Sequence, residues 1–249
     1  MVGKIVAIGG GDIAQRETHT IDETIIFLSG NKKPHVLFIP TASSDSPEYV
    51  SAFVYYYGEI LGCQVDVLYL IDQSLDKHVI AEKIFAADII YVGGGNTLMM
   101  MNVWRKHGID ELLKIAYEKD IVLCGVSAGA ICWFRFGNSD SRRFKNPIAP
   151  LIKVSALGLV NALLCPHYHS EKYDKDRRTS VQAMMQKTPG VALALDDCCA
   201  LVLIDGMYQV IASSPGAQAY KLYWARNQFF HEVLEVSNDF KPANEILVK

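Results

Sequence analysis

Five short runs rich in Val, Ile, Leu and Tyr punctuate the first half of the chain, each closed by Gly, Pro or a polar residue. They are Lys4–Ile8, His35–Ile39, Val65–Leu70, Asp88–Val92 and Ile121–Cys124. Runs this short and this apolar read as strands buried on both faces. Between them lie patterns of helical period, at Thr20–Leu28, from Ser46-Pro47-Glu48 to Ile60, at Thr97–His107 and at Asp110–Glu118. Pro47 falls in a first helical turn, where its missing N–H has no cost. Strand–helix alternation predicts an α/β fold: a mainly parallel, mixed sheet flanked by helices on both faces.

The second half reads differently. A polar stretch from Gly137 to Ser155 is expected as loop, and a helix from Lys172 to Gln186. The runs Val191–Leu195, Ala200–Ile204 and Tyr208–Ala212 follow, with Asp205-Gly206 between the last two. An Asp-Gly step between apolar runs signals a hairpin, so the sheet should end in antiparallel strands. No repeat or linker divides the chain. One domain over residues 1–249 is expected, with a C-terminal extension at 228–249 whose Phe229-Phe230 and Val233-Leu234 suggest packing or a homodimer.

A net charge of −3 gives no basic excess for nucleic acid. No stretch approaches the roughly 18 apolar residues of a membrane span. The N-terminal apolar run breaks into Gly9-Gly10-Gly11, too soon for a signal segment. The expectation is a cytoplasmic protein with no membrane partner. The six cysteines form no CxxC pair and none has a His at ligand spacing, so buried thiols without metal are expected.

Chemistry gathers at strand ends, where open α/β sheets bind ligands. The fifth run leads into Gly125-Val126-Ser127-Ala128-Gly129. A serine on a sharp strand-to-helix turn is exposed, and the N–H of the next residue, Ala128, can face a developing oxyanion. The fourth run ends in Gly93-Gly94-Gly95-Asn96-Thr97, which fits neither phosphate-loop nor dinucleotide glycine spacing. Its N–H groups can meet an anion, and Asn96 or Thr97 can cap the next helix. A third strand end, Cys165-Pro166-His167-Tyr168-His169, offers two histidines as base for a serine nucleophile. Asp140, Asp196 and Asp197 are the candidate carboxylates to orient that base.

Together these motifs resemble peptidase family S51, the aspartyl dipeptidase (peptidase E) and cyanophycinase group. The resemblance spans about residues 4 to 215. It implies a fold like class I glutamine amidotransferases and flavodoxin, and hydrolysis with no cofactor. It also implies that Ser127 is the nucleophile, His167 the base, and the Gly95 and Ala128 N–H groups the oxyanion hole. Asn138-Ser139-Asp140 resembles one family carboxylate motif. Asp197 stands where the family normally carries Glu, a side chain shorter by one C–C bond. In aspartyl dipeptidases a basic side chain after the histidine holds the substrate's Asp carboxylate. Lys175 and Arg178, three residues apart on a helix, match it and join Asn96 as candidate substrate-binding residues. The implied activity is a serine peptidase on small peptides, acting on dipeptides that begin with Asp. The alternatives are a cyanophycinase-like isopeptidase, an esterase, or a non-catalytic ligand-binding relative.

Overall fold

Each of the five apolar runs is a strand in the computed structural model of the chain, which describes residues 3–71, 76–170 and 174–249, the side chains of 174–176 excepted. These strands are β1 (Lys4–Ile8), β2 (His35–Ile39), β3 (Gln64–Val67), β4 (Ile89–Val92) and β5 (Val122–Val126). They pair in parallel in the order β1-β5-β4-β2-β3. β3 stops at Val67, short of the expected Leu70. Beyond it the Leu70 and Ile71 N–H groups both donate to Asp45 Oδ2 at 2.8 Å, which takes them out of the ladder.

The expected helices are α1 (His19–Leu28), α2 (Pro47–Phe53), α4 (Thr97–His107) and α5 (Ile109–Glu118). α2 runs on as a π-helical stretch over Val54–Ile60. A further helix, α3 (Lys77–Phe85), escapes the sequence reading because only Ile80 and Ile84 are buried on it, too thin a stripe to show a period. The pleat of β1 sorts the core. Val6 and Ile8 pack with α1 and α2, while Ile5 and Ala7 pack with α3, α4 and α5 on the other face.

Beyond β1 the sheet turns antiparallel, with β10 (Cys199–Ile204), β11 (Met207–Ala212) and the short edge β14 (Lys241–Pro242). The β10–β11 turn is Asp205-Gly206, both at positive φ (47° and 82°), as a tight hairpin of right-handed strands requires.

A second sheet of six strands accompanies this mixed one. Its members are β6 (Phe134–Ser139), β7 (Ile152–Ser155), β8 (Val160–Pro166), β9 (Ala192–Leu195), β12 (Ala219–Ala225) and β13 (Gln228–Leu234). The expected loop Gly137–Ser155 is therefore corrected to a strand pair around a shorter connection. Asn138 and Ser139 look like loop residues but are buried, in register with Lys153 and Ile152. β6, β8 and β9 run parallel, and Leu164, Leu193 and Leu195 share one core cluster with Ile5 and Leu37 of the first sheet. The opposite face is covered by α7 (Asp174–Gln186), through Val181 and Met185. The expected helix start at Lys172 lies outside the described residues. Residues 228–249 form β13, β14 and α8 (Asn244–Leu247), so each sheet gains an edge strand from the C-terminal segment. Among the described residues no helix is long and apolar enough to cross a membrane, and no group of His, Cys, Asp and Glu could hold a metal ion.

Candidate active site

β1, β4 and β5 end at one edge, and the turn after β5 carries Ser127. Its backbone sits at φ 55° and ψ −109°, a conformation costly for a side-chain-bearing residue. The turn is followed by α6 (Ala128–Ile131), wholly buried. The flanking glycines have a packing cause. A Cβ on Gly125 would lie 2.6 Å from the Val92 carbonyl oxygen, and one on Gly129 only 2.0 Å from it. The elbow is thus pressed onto the end of β4, where no methyl group fits. The Gly93–Gly95 loop wraps the same spot, with Gly94 next to Ser127. Gly95 has φ +138° and meets the Ala42 carbonyl so closely that only glycine can stand there.

From the second sheet, β8 delivers His167 and β9 leads to Asp197. His167 Nε2 lies 2.6 Å from Ser127 Oγ, and His167 Nδ1 lies 2.6 Å from Asp197 Oδ1. Both distances are within reach of proton transfer. His167 is itself strained, at φ 137°. Asp197 spans the gap despite being one bond shorter than Glu. Gly10, at the end of β1, makes room for it: a Cβ there would lie 1.8 Å from Asp197 Oδ1 and 2.6 Å from His167 Nδ1. Burial raises the Asp197 carboxyl, but hydrogen bonds and charge from His167, a hydrogen bond from Ser170 and the charge of Arg177 outweigh it and hold the group below the usual carboxylate range. Asp197 therefore stays ionised at neutral pH and favours the His167 tautomer with its proton on Nδ1. Neither the Gly95 nor the Ala128 N–H has an acceptor among the described residues.

A cleft of about 530 Å³ opens beside His167 and Asp197. Asp12, Glu17 and Glu48 line it with Tyr49, whose hydroxyl accepts the Gly94 N–H at 3.3 Å. Among the described residues no Lys or Arg lines it.

The sequence profile of Peptidase family S51 matches residues 5–211. The chain belongs to peptidase family S51. This is a family of serine peptidases, and the chain is a peptidase. It is 35% identical to the uncharacterized peptidase YgaJ of Bacillus subtilis, over 94% of this chain and 96% of that one. The uncharacterized peptidase Lin0382 of Listeria innocua is 31% identical, over 60% of this chain and 71% of the relative. Two crystal structures share the fold. One is a peptidase from an acI-B1 Actinobacterium, with TM-score 0.69, 20% identity and 97% of both chains covered. The other is a putative peptidase E protein from Listeria monocytogenes, with TM-score 0.67, 22% identity, and 86% of this chain and 100% of that one covered.

The remaining candidates sit apart from the Ser127–His167–Asp197 chain. Asp140 bonds Arg177 at 3.0 Å, not His167. Asn96 spends its amide within the protein, capping α4 at the Met99 N–H (3.0 Å) and donating to the Ser141 carbonyl (3.3 Å). Arg178 is exposed and close enough to His231 to lower its pKa, behind desolvation and His169. The Lys175 side chain lies outside the described atoms. His169 turns away from Ser127 and meets Asp196 at 3.0 Å.

Arg177 is not among the residues expected from the sequence; it is 1% exposed and also donates to the Asn138 carbonyl at 3.2 Å. A signal for it existed. Val181 and Met185 form the buried stripe of α7, and one step of four residues backwards lands on Arg177 rather than on Lys175 or Arg178.

Proposed function

We propose that this chain is a serine peptidase of short peptides whose nucleophile is Ser127. The observation that carries the reading is the unbroken Ser127–His167–Asp197 chain, with 2.6 Å at each link. His167 takes the Ser127 proton as the oxygen attacks the scissile carbonyl. The Gly95 and Ala128 N–H groups stabilise the tetrahedral oxyanion. His167 returns the proton to the leaving amine, and a water molecule then releases the acyl group from Ser127. Asp197 holds the imidazole in the required tautomer.

For the substrate, resemblance to aspartyl dipeptidases points to Asp-Xaa dipeptides, with Lys175 or Arg178 as the cation for the Asp side chain. The cleft favours a second reading. Asp12, Glu17 and Glu48 suit a positive group, which is the α-ammonium of any unblocked peptide or a basic first side chain.

A panel of Asp-Leu, Asn-Leu, Lys-Leu and N-acetyl-Asp-Leu, with Ser127→Ala as control, tests both. A charge-assisted contact predicts Asp-Leu over Asn-Leu by about tenfold to a hundredfold in kcat/KM. Equal rates on that pair remove the Asp-Xaa reading. Loss of cleavage on acetylation supports the ammonium contact, and Lys-Leu as the best substrate would favour the second reading outright.

A further inference from the structure

The carboxylate next to Asp197 has no part in that mechanism, yet it is the more heavily bonded of the two. Asp196 is 8% exposed. Its Oδ1 accepts the backbone N–H of His169 at 3.1 Å and lies 3.0 Å from His169 Nδ1. Its Oδ2 accepts the Gln218 N–H at 3.0 Å and the Tyr220 hydroxyl at 3.2 Å. One side chain therefore joins the end of β9, the loop after β8 and the start of β12. The chain turns at Asp197-Cys198, closed by the Cys199 N–H on the Asp196 carbonyl (3.3 Å), so that Asp197 meets His167 while Asp196 faces β12.

The loop that Asp196 grips begins with His167 at φ 137°. A residue in such a region persists only when its surroundings over-determine it. On one side Tyr168 N–H donates to the Leu195 carbonyl at 3.1 Å. One residue on, Asp196 takes the His169 N–H. The His169 ring is wedged edge-on against Tyr168 and Tyr220, and His231 stacks over both tyrosines. Released, the His167 backbone would relax, and its ring would leave a position that two 2.6 Å contacts define.

We propose that Asp196 is a positioning residue: its carboxylate clamps the His169 peptide and so holds His167 in the strained conformation that aims its ring between Ser127 and Asp197. The inference rests on the serine-peptidase reading for its kinetic consequence, but not for its structural one.

The experiment compares Asp196→Ala and Asp196→Asn with the wild type at a temperature where circular dichroism shows each folded. Asp22→Asn serves as a buried-carboxylate control whose bonds go to Thr18 and Tyr57 and not to the loops of His167 and Asp197. Two readouts are taken. The first is the far-downfield proton resonance of the His167–Asp197 hydrogen bond, assigned by its loss in His167→Ala and read without any substrate. The second is peptide hydrolysis, resolved into kcat and KM. A displacement on the order of 1 Å predicts a fall in kcat of about 10²-fold for Asp196→Ala, with KM within about threefold. In Asp196→Asn one oxygen is replaced by an NH₂ that faces donors, and a loss of about tenfold is expected. The resonance should broaden or vanish in both variants and persist in Asp22→Asn. A lower melting temperature with resonance and kcat both unchanged would overturn the proposal and leave Asp196 as scaffold. If Asp196→Ala does not fold, Asp196→Asn decides alone on the same criteria. A wild type that cleaves no peptide would remove the functional reading, and loss of the resonance in the Asp196 variants would still support the clamp.

Discussion

Two histidine–aspartate pairs stand back to back on the same two loops, His167 with Asp197 and His169 with Asp196. Their exposures are inverted. In the first the ring is shielded (15% exposed) and the carboxylate open (37%). In the second the ring is open (35%) and the carboxylate enclosed. Asp196 is bonded by donors from two other segments, His169 on one and Gln218 with Tyr220 on the other. Asp197 faces a cleft, and His167 has Ser127 on its far nitrogen. Identical residue types one and two positions apart thus divide into a pair that can move a proton and a pair that fixes a loop. The difference lies in what each pair is pointed at.

Removing each ring in turn should show the largest difference between the two pairs. His167→Ala should lower kcat by about 10⁴-fold or more, because base and nucleophile act as a unit. His169→Ala keeps the backbone N–H bond to Asp196 and should cost no more than about tenfold. Steady-state hydrolysis by the folded variants checks the ranking, and the reverse order would place the base two residues too early.

A similar contrast separates Asp197 from Asp140. Asp197→Asn should cost about 10⁴-fold in kcat by favouring the wrong tautomer. Asp140→Asn takes one charged partner from the buried Arg177, so its main effect should be on stability, about 3 kcal/mol, the low end for breaking a buried pair, because Asp140 keeps some water contact. Urea denaturation beside kinetics separates the two effects. A kcat collapse in Asp140→Asn alone would move the orienting role to the loop.

Gly10→Ala disturbs the aim of Asp197 without touching the pair's own side chains. The added methyl must displace Asp197 Oδ1, which would sit 1.8 Å away. A fall in kcat of about 10²-fold with little change in KM is expected.

These contrasts also mark what was legible in the sequence. The strand, elbow and helix around Ser127 are consecutive, so local pattern alone carried them. The β-branched runs of the first sheet were visible for the same reason. The choice of His167 over His169 came from family resemblance, since both follow the same strand and only the approach of Ser127, forty residues earlier in the chain, tells them apart. Nothing local separates Asp140 from Asp197 either; pairing across the fold sets Asp197 on His167 and Asp140 on Arg177. The second sheet was the least legible part. Its β6 and β7 contain buried Asn138 and Ser139, whose polarity reads as loop until Lys153 and Ile152 are seen opposite them.

The smallest expected effect concerns a carboxylate outside the site. Asp22 is pushed up to about 6 by burial, against hydrogen bonds from Tyr57 and Thr18 that lower it. Folding thus favours its protonated form. Its contribution is full below the ordinary value of 3.8 and is lost as pH rises through about 6. Relative to Asp22→Asn, the wild type should lose on the order of 3 kcal/mol across that window, for about two pKa units. Denaturant midpoints at several pH values check this, and activity at neutral pH should not change. A flat difference would mean that the carboxyl is not buried as described.

Whether Ser127 is the nucleophile is decided by treating the folded protein with a fluorophosphonate and locating the adduct by peptide mass mapping. One adduct is expected, on Ser127, formed far more slowly in His167→Ala and absent in Ser127→Ala. An unmodified Ser127 in an active preparation, or an adduct on another residue that tracks the loss of peptidase activity, would contradict it.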